Sequence, residues 1–457
     1  MRLSPYNFYH HAHLFRVQVG IVMVRELRGA IDIGSGSTKI AVLLVEYEVG
    51  QKYGRIIENL YGREHSVSFG GDYKRSSTGE LSVTIQDEGI ATLKDMVSYV
   101  RNEFKVTKFS AICTEVFRNA RNGSEYLDRI RLEVSVPVTI ITQLLEAELS
   151  FNSIIAVSEL DRSKVCVWDS GGASFQITST TTPSIAFPSG EFQTYMGPLG
   201  THISTSILVE ECRGQSMKGV KTVNPVSREE IPKLIEALKK KMESDIPDWL
   251  KGRDVVFGAA GQASMFKLCC DCLHSISEAQ MDSPQKSKTV RKTSFTAYEA
   301  RLALDSFVAL TDEEIVSRIN IPAPADGADL LIPKLALLCA VLDMTGIKEV
   351  KTICVVGSCA GMAIDNTMWK FQYDTSSDGL LNVGDKVQIV CKAAGNNFMR
   401  IANVIDHVTS SPLCSLFNFI SYFDVYRVKI QSLPPDAEED VMMITRNNLR
   451  KIFCDGV

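Results

Sequence analysis

Ala30-Ile31-Asp32-Ile33-Gly34-Ser35-Gly36-Ser37-Thr38-Lys39 reads as an apolar strand ending in an aspartate, a turn of glycines and serines, and the start of a second apolar run through Val45. The same grammar recurs downstream. Lys164 to Trp168 leads into Asp169-Ser170-Gly171-Gly172-Ala173-Ser174 and out through Phe175 to Thr178. A repeated strand, small-residue turn and strand predicts two related lobes facing one another, with a ligand held in the cleft between them.

Each turn has a bland reading as an ordinary hairpin, with its aspartate as a turn cap. The pair points further. Backbone N–H groups approach phosphate oxygens closely where side chains are short, and hydroxyls add donors, so Gly34, Ser35, Gly36, Ser37 and Gly171, Gly172, Ala173, Ser174 are the candidate phosphate-binding residues. Asp32 and Asp169 precede these turns. Carboxylates there suit a hydrated Mg²⁺ that bridges phosphate oxygens.

Helix and strand alternate around the first turn: Asp87 to Phe104 is helical, Lys108 to Cys113 a buried strand, Asn119 to Leu132 helical, Val136 to Ile141 a strand, and Leu144 to Ala156 a helix. The expected division is an extension over 1–28, a first α/β lobe over 29–160 and a second over 161–375. Within the second lobe, Ser227 to Lys241 and Leu330 to Met344 read as helices, and a polar insertion lies near 275–294. Short β-like runs separated by turn residues predict a small β-rich segment over 376–457.

With 457 residues, 45% of them hydrophobic, the chain can bury more than one core. A net charge of −5 gives no global attraction to DNA or to an anionic membrane, and no run approaches the roughly 18 apolar residues of a membrane-spanning helix. Twelve scattered cysteines, many inside apolar runs, fit reduced core thiols and a cytoplasmic protein. The acid-free stretch 1–25 leaves organelle targeting as the alternative. Cys269, Cys270 and Cys272 lack a second pair at zinc-finger spacing and read as structural.

Thr114-Glu115-Val116-Phe117-Arg118-Asn119-Ala120-Arg121-Asn122 resembles the T-x-A-x-R-x-A-x-N segment of the exopolyphosphatase/guanosine-pentaphosphate phosphohydrolase family, with Val116 in place of the first alanine. Ile141 to Ala147 resembles that family's I-S-G-x-E-E-A element, and the two glycine turns resemble its D-x-G-S-N-S and D-I-G-G-G-S loops. The resemblance spans roughly Gly29 to Asp365. It implies a two-lobed actin-like (ribonuclease H-like) α/β fold and hydrolysis of polyphosphate or a nucleoside polyphosphate such as guanosine pentaphosphate. It further implies Mg²⁺ as cofactor, Glu146 as the catalytic carboxylate, Arg118 as a phosphate-binding guanidinium, and an architecture compatible with a homodimer.

Departures are also visible. Leu145 replaces the first glutamate of the family pair and Gln143 its glycine, and Gln176 stands where the family has a glutamate. Gly258 to Gln262 lacks the hydroxyls of the G-x-S-G-T turn, and Gly357 to Gly361 lacks the charges of S-D-G-x-L-R-E-G. These keep open a non-catalytic polyphosphate or nucleotide sensor. An actin-like ATP phosphotransferase is the third reading.

Overall fold

Strand β1 (Met23–Ile33) pairs antiparallel with β2 (Ser37–Glu48), which pairs antiparallel with β3 (Arg55–Ser66). On the other side, β4 (Lys108–Cys113) and β5 (Val138–Ile140) add in parallel, giving the order β3-β2-β1-β4-β5. The second sheet contains β6 (Cys166–Ser170), β7 (Phe175–Thr180), β8 (Phe192–Gly197), β9 (Val255–Ala260), β10 (Ser294–Thr296) and β11 (Glu349–Cys354). Its order, β10-β11-β9-β6-β7-β8, repeats the first from the β8 end: three antiparallel strands, then two in parallel, with β10 added at the edge. The computed structural model describes residues 23–369 apart from 159, 183–189, 243–245, 280–290, 320 and 322–326.

Helices α1 (Phe69–Arg75), α2 (Val83–Phe104), α3 (Glu115–Asn119), α4 (Gly123–Glu133) and α5 (Gln143–Ser158) follow the strands of the first lobe. The second lobe contributes α6 (Thr201–Ser206), α7 (Glu230–Lys241), α8 (Met265–Ala279), α9 (Ala297–Phe307), α10 (Asp312–Arg318), α11 (Leu331–Thr345) and α12 (Cys359–Ile364). The first sheet is covered on both faces, which is why β1 and β2 read as near-continuous apolar runs. Ile31, Ile33, Ile40 and Val42 pack with Leu93, Met96 and Val97 of α2. Ala30, Ala41 and Leu43 face Cys359, Met362 and Ala363 of α12.

That second contact crosses between the lobes. Helix α12 follows the last strand of the second sheet yet packs on the first, while α5 follows the first sheet and places Phe151 and Ile154 against Val165, Val167 and Ala259 of the second. The two helices touch at Gly361, where a Cβ would lie 1.9 Å from the Leu149 carbonyl oxygen, and the Gly361 N–H donates to Ser153 Oγ at 2.8 Å. Only glycine permits that approach.

Two boundaries differ from the sequence expectation. Residues 23–28, placed in the extension, belong to β1; alternating charges at Arg25, Glu26 and Arg28 hid the strand. Arg28 is buried beneath the rings of Tyr47 and Trp369, at 4.7 and 5.0 Å, and donates to the Ala363 carbonyl. The helix expected from Asn119 to Leu132 is α4, which starts later, at Gly123, and a separate short helix, α3, ends at Asn119. Between them lie Ala120–Asn122, where the Asn122 amide exchanges hydrogen bonds of 2.9 Å with the backbone N–H and C=O of Leu81.

The β-rich segment expected over 376–457 lies outside the described residues, as do residues 280–290 of the polar insertion. Cys269, Cys270 and Cys272 are buried in the second core on α8, where burial raises all three thiol pKa values. Among the described residues no helix is long and apolar enough to cross a membrane.

Candidate functional site

The two turns close in the same way. Gly34 N–H donates to the Ser37 carbonyl at 2.9 Å, and Gly171 N–H to the Ser174 carbonyl at 2.9 Å. They face one another across the lobes, for a Cβ on Gly172 would stand 3.3 Å from Ser35 Cβ and 2.6 Å from the His202 ring. Between them opens a cavity of about 490 Å³ lined by both turns and by Asp32, Lys39, Glu64, Glu146, Asp169, His202 and Lys334. The fold therefore gathers every site residue read from the sequence except Arg118 around one space.

The aspartates are linked through both crossing helices. Asp32 Oδ2 accepts the Ser358 N–H at 3.0 Å, the Ser358 and Ser150 hydroxyls lie 3.2 Å apart, and Ser150 Oγ donates to Asp169 Oδ2 at 2.5 Å. Burial raises the Asp169 carboxyl, with Ser150 and Lys39 opposing and Asp32 adding to the rise. Lys39 Nζ is 4.0 Å from Asp32 Oδ2. Burial alone would lower its pKa, but Asp32, Glu64 and Asp169 outweigh that and hold the ammonium well above its usual range. Gly357 has a φ of +53°, and a Cβ there would come 2.2 Å from Asp32 Oδ2, so the backbone presses directly on this carboxylate.

For Mg²⁺, Asp32 and Asp169 offer hard oxygen donors steadied by Ser358 and Ser150. Among the described residues no group of three or more His, Cys, Asp or Glu could hold a metal by itself. The donor set fits an ion that keeps water and substrate oxygens as its other ligands.

Glu146 sits in the first turn of α5, its N–H donating to the Thr142 carbonyl at 3.0 Å. Burial, then the charge of Asp169, raises its carboxyl to about 8; Arg118 opposes this and Asp32 adds to it. Arg118 does not line the cavity. Its guanidinium donates to the Ile141 carbonyl at 2.6 Å and reaches Glu146 Oε2 at 3.3 and 3.4 Å, so it anchors the carboxylate where the sequence reading had it grip phosphate. Glu148 is on another face of α5, in the field of Lys52, Asp365 and Arg162.

Several cleft residues carried no sequence signal. The His202 backbone N–H donates to the Gly172 carbonyl at 2.7 Å and its ring sits between the turns; burial, with Lys74, Lys334 and Arg75, lowers its pKa to about 4 and leaves it neutral at pH 7. Lys334 is buried on α11 and donates to the Ala263 carbonyl at 2.7 Å. Burial lowers it to about 8 against Glu64 and Asp329. A lone cation inside the apolar run Leu331 to Leu342 was the one available clue to it.

Two opposed hairpins on paired sheets, with a cleft of about 490 Å³ between them that holds the Glu146 carboxyl, define a two-lobed actin-like α/β protein of the phosphatase type. A sequence model of the Ppx/GppA phosphatase family matches residues 48–367, and the chain belongs to that family. The first turn, at Gly34 to Ser37, lies just ahead of the matched span.

Among solved structures, the Ppx/GppA family member from Aquifex aeolicus is 21% identical, with 76% of this chain and 98% of that chain covered and a TM-score of 0.52. An exopolyphosphatase from Cytophaga hutchinsonii is 16% identical, with 76% and 99% covered and a TM-score of 0.53. At such identities the likeness is one of fold. No curated protein sequence matches the chain.

Proposed function

We propose that the protein hydrolyses the terminal phosphate of inorganic polyphosphate or a nucleoside polyphosphate in the interlobe cleft. The observation that carries this reading is the convergence of two Gly/Ser turns on a cavity that also holds Glu146, Asp32 and Asp169. Turn N–H groups and the hydroxyls of Ser35, Ser37 and Ser174 bind phosphate oxygens. Glu146, once ionised, accepts a proton from the water that attacks the terminal phosphorus, while the bond to the bridging oxygen breaks and the shortened chain leaves. Arg118 fixes that carboxylate from behind. Asp32 and Asp169 would hold Mg²⁺, which supplies charge neutralisation on the phosphate oxygens when bound.

A binding-only sensor is the second reading, favoured by two positions where family carboxylates are replaced. Leu145 packs into an apolar cluster, and buried Gln176 only donates to Ser174 Oγ at 3.2 Å. Phosphate release from polyphosphate, guanosine pentaphosphate and ATP, measured beside binding of each, separates the readings. Release from either of the first two supports the hydrolase; tight binding without release supports the sensor; ADP formed from ATP without matching free phosphate, the phosphoryl group passing to an added acceptor, points to a phosphotransferase.

A further inference from the structure

One carboxylate in the cleft has the surroundings of a ligand. Glu64, on β3 of the first lobe, accepts the Ser37 hydroxyl at 2.9 Å through Oε1 and the Gln262 backbone N–H at 3.1 Å through Oε2. Its Oε2 is also 3.2 Å from where a Cβ on Gly261 would stand, so it enters the glycine turn after β9 of the opposite lobe. Lys39 is its cross-strand partner, and Lys334 shares its electrostatic field from the second lobe. A hydroxyl, a backbone N–H beside glycine and two ammonium groups, drawn from both lobes, are the donor set that recognises a tetrahedral oxyanion.

We propose that Ser37, Gln262 N–H, Lys39 and Lys334 form a phosphoryl-binding subsite that the Glu64 carboxylate occupies in this structure and that a substrate phosphate takes over by displacing it. Lys334 supplies a second observation that points to a ligand. It is more than nine-tenths buried, it lines the cavity, and it donates to the neutral Ala263 carbonyl while Glu64 and Asp329 act on it through their fields. A buried ammonium is costly without an anion, and an incoming phosphate offers more charge and more acceptor oxygens than Glu64 does. The subsite would hold a phosphate of the chain beyond the one being cleaved. In that respect it rests on the polyphosphate reading above and deepens it: substrates with several linked phosphates are favoured over monoesters.

The test is titration calorimetry with inorganic orthophosphate and tripolyphosphate at fixed ionic strength, using the wild-type chain, Glu64→Gln, Glu64→Asp and Glu64→Gln/Lys334→Met. Glu64→Gln is expected to bind both anions about tenfold more tightly, because a neutral amide no longer competes for the cations. Glu64→Asp, too short to span Ser37 and Gln262, should show part of the gain should Glu64→Gln fail to fold. Adding Lys334→Met should erase it. Unchanged or weaker binding in a folded Glu64→Gln, or a gain that survives Lys334→Met, overturns the subsite. Tighter anion binding with no phosphate release from any polyphosphate keeps the subsite and sinks the hydrolase reading; release without any effect of Glu64→Gln does the reverse.

Discussion

The β1–β2 and β6–β7 hairpins are the same piece of architecture with different electrostatics. Both begin with a strand-end aspartate and close on a glycine N–H to serine carbonyl bond of equal length. Opposite the aspartate, however, the cross-strand partner is Lys39 in one hairpin and Gln176 in the other. Asp32 therefore has a partly buried cation at 4.0 Å on its own hairpin, whereas Asp169 relies on the Ser150 hydroxyl and on Lys39 reaching over from the other lobe. Backbone geometry can be duplicated while charge is concentrated on one copy. The hairpins thus do different work: one brings a cation, the other a carboxyl that burial holds towards its neutral form.

The largest test asks whether both hairpins serve one centre. Glu146→Gln should lower the rate of phosphate release by about 10²- to 10⁴-fold with ligand binding retained, since the amide cannot accept a proton. Glu148→Gln, on another face of the helix, should stay within about twofold of wild type. Equal losses in the two variants would show that the hairpins do not converge on Glu146.

Next in size is Lys39→Gln, which gives the first hairpin the second one's chemistry. It leaves Asp32, Asp169 and Glu64 without their shared cation, and removing one partner of this partly buried pair should cost about 2 kcal/mol in denaturant unfolding. No loss of stability would mean that the asymmetry between the hairpins is superficial.

A further effect appears in the pH dependence of stability. A glutamate whose folded value is about 8, against 4.5 in the unfolded chain, stabilises fully below the lower value, and its contribution is lost as pH rises through the upper one. Wild-type stability should therefore fall between pH 5 and 8 relative to Glu146→Gln, by no more than the ~4 kcal/mol that three pH units at ~1.36 kcal/mol each allow. Because Asp169 pushes Glu146 harder than Asp32 does, Asp169→Asn should flatten this slope more than Asp32→Asn. The reverse order would reassign the coupling to the first hairpin.

The smallest effect should be the most symmetric. A Cβ on Gly34 would stand 3.3 Å from the Ser37 carbonyl, a tight contact that a shift of a few tenths of an ångström relieves, and one on Gly171 would stand 3.4 Å from the Ser174 carbonyl. Both alanine variants should shift the melting temperature little and by similar amounts, within about 0.5 kcal/mol. A large difference between them would break the structural equivalence itself.

Local pattern was enough to find both turns, the strand at Lys108 to Cys113 and the helix that carries Glu146, because each is written in consecutive residues. The first strand was cut short because Arg28 lies under aromatic rings distant in the chain, and charge in sequence reads as surface. Arg118 was given to phosphate because nothing in Thr114 to Asn122 reveals that Glu146 and the Ile141 carbonyl stand in front of it. Glu64, Ser150, His202 and Ser358 were silent for the same reason. Each acquires its role from partners on the other lobe or on a crossing helix, and no window of sequence contains both.

The exchange of α5 and α12 bears on how the gene for such a protein can be divided. A fragment ending near residue 160 would carry α5 with Phe151 and Ile154 exposed and would lack the helix that covers Ala30, Ala41 and Leu43. The complementary fragment would suffer the mirror defect. Neither half is a self-sufficient folding unit, so truncation at the apparent lobe boundary should yield aggregation-prone products, and the halves should recover solubility only when co-expressed.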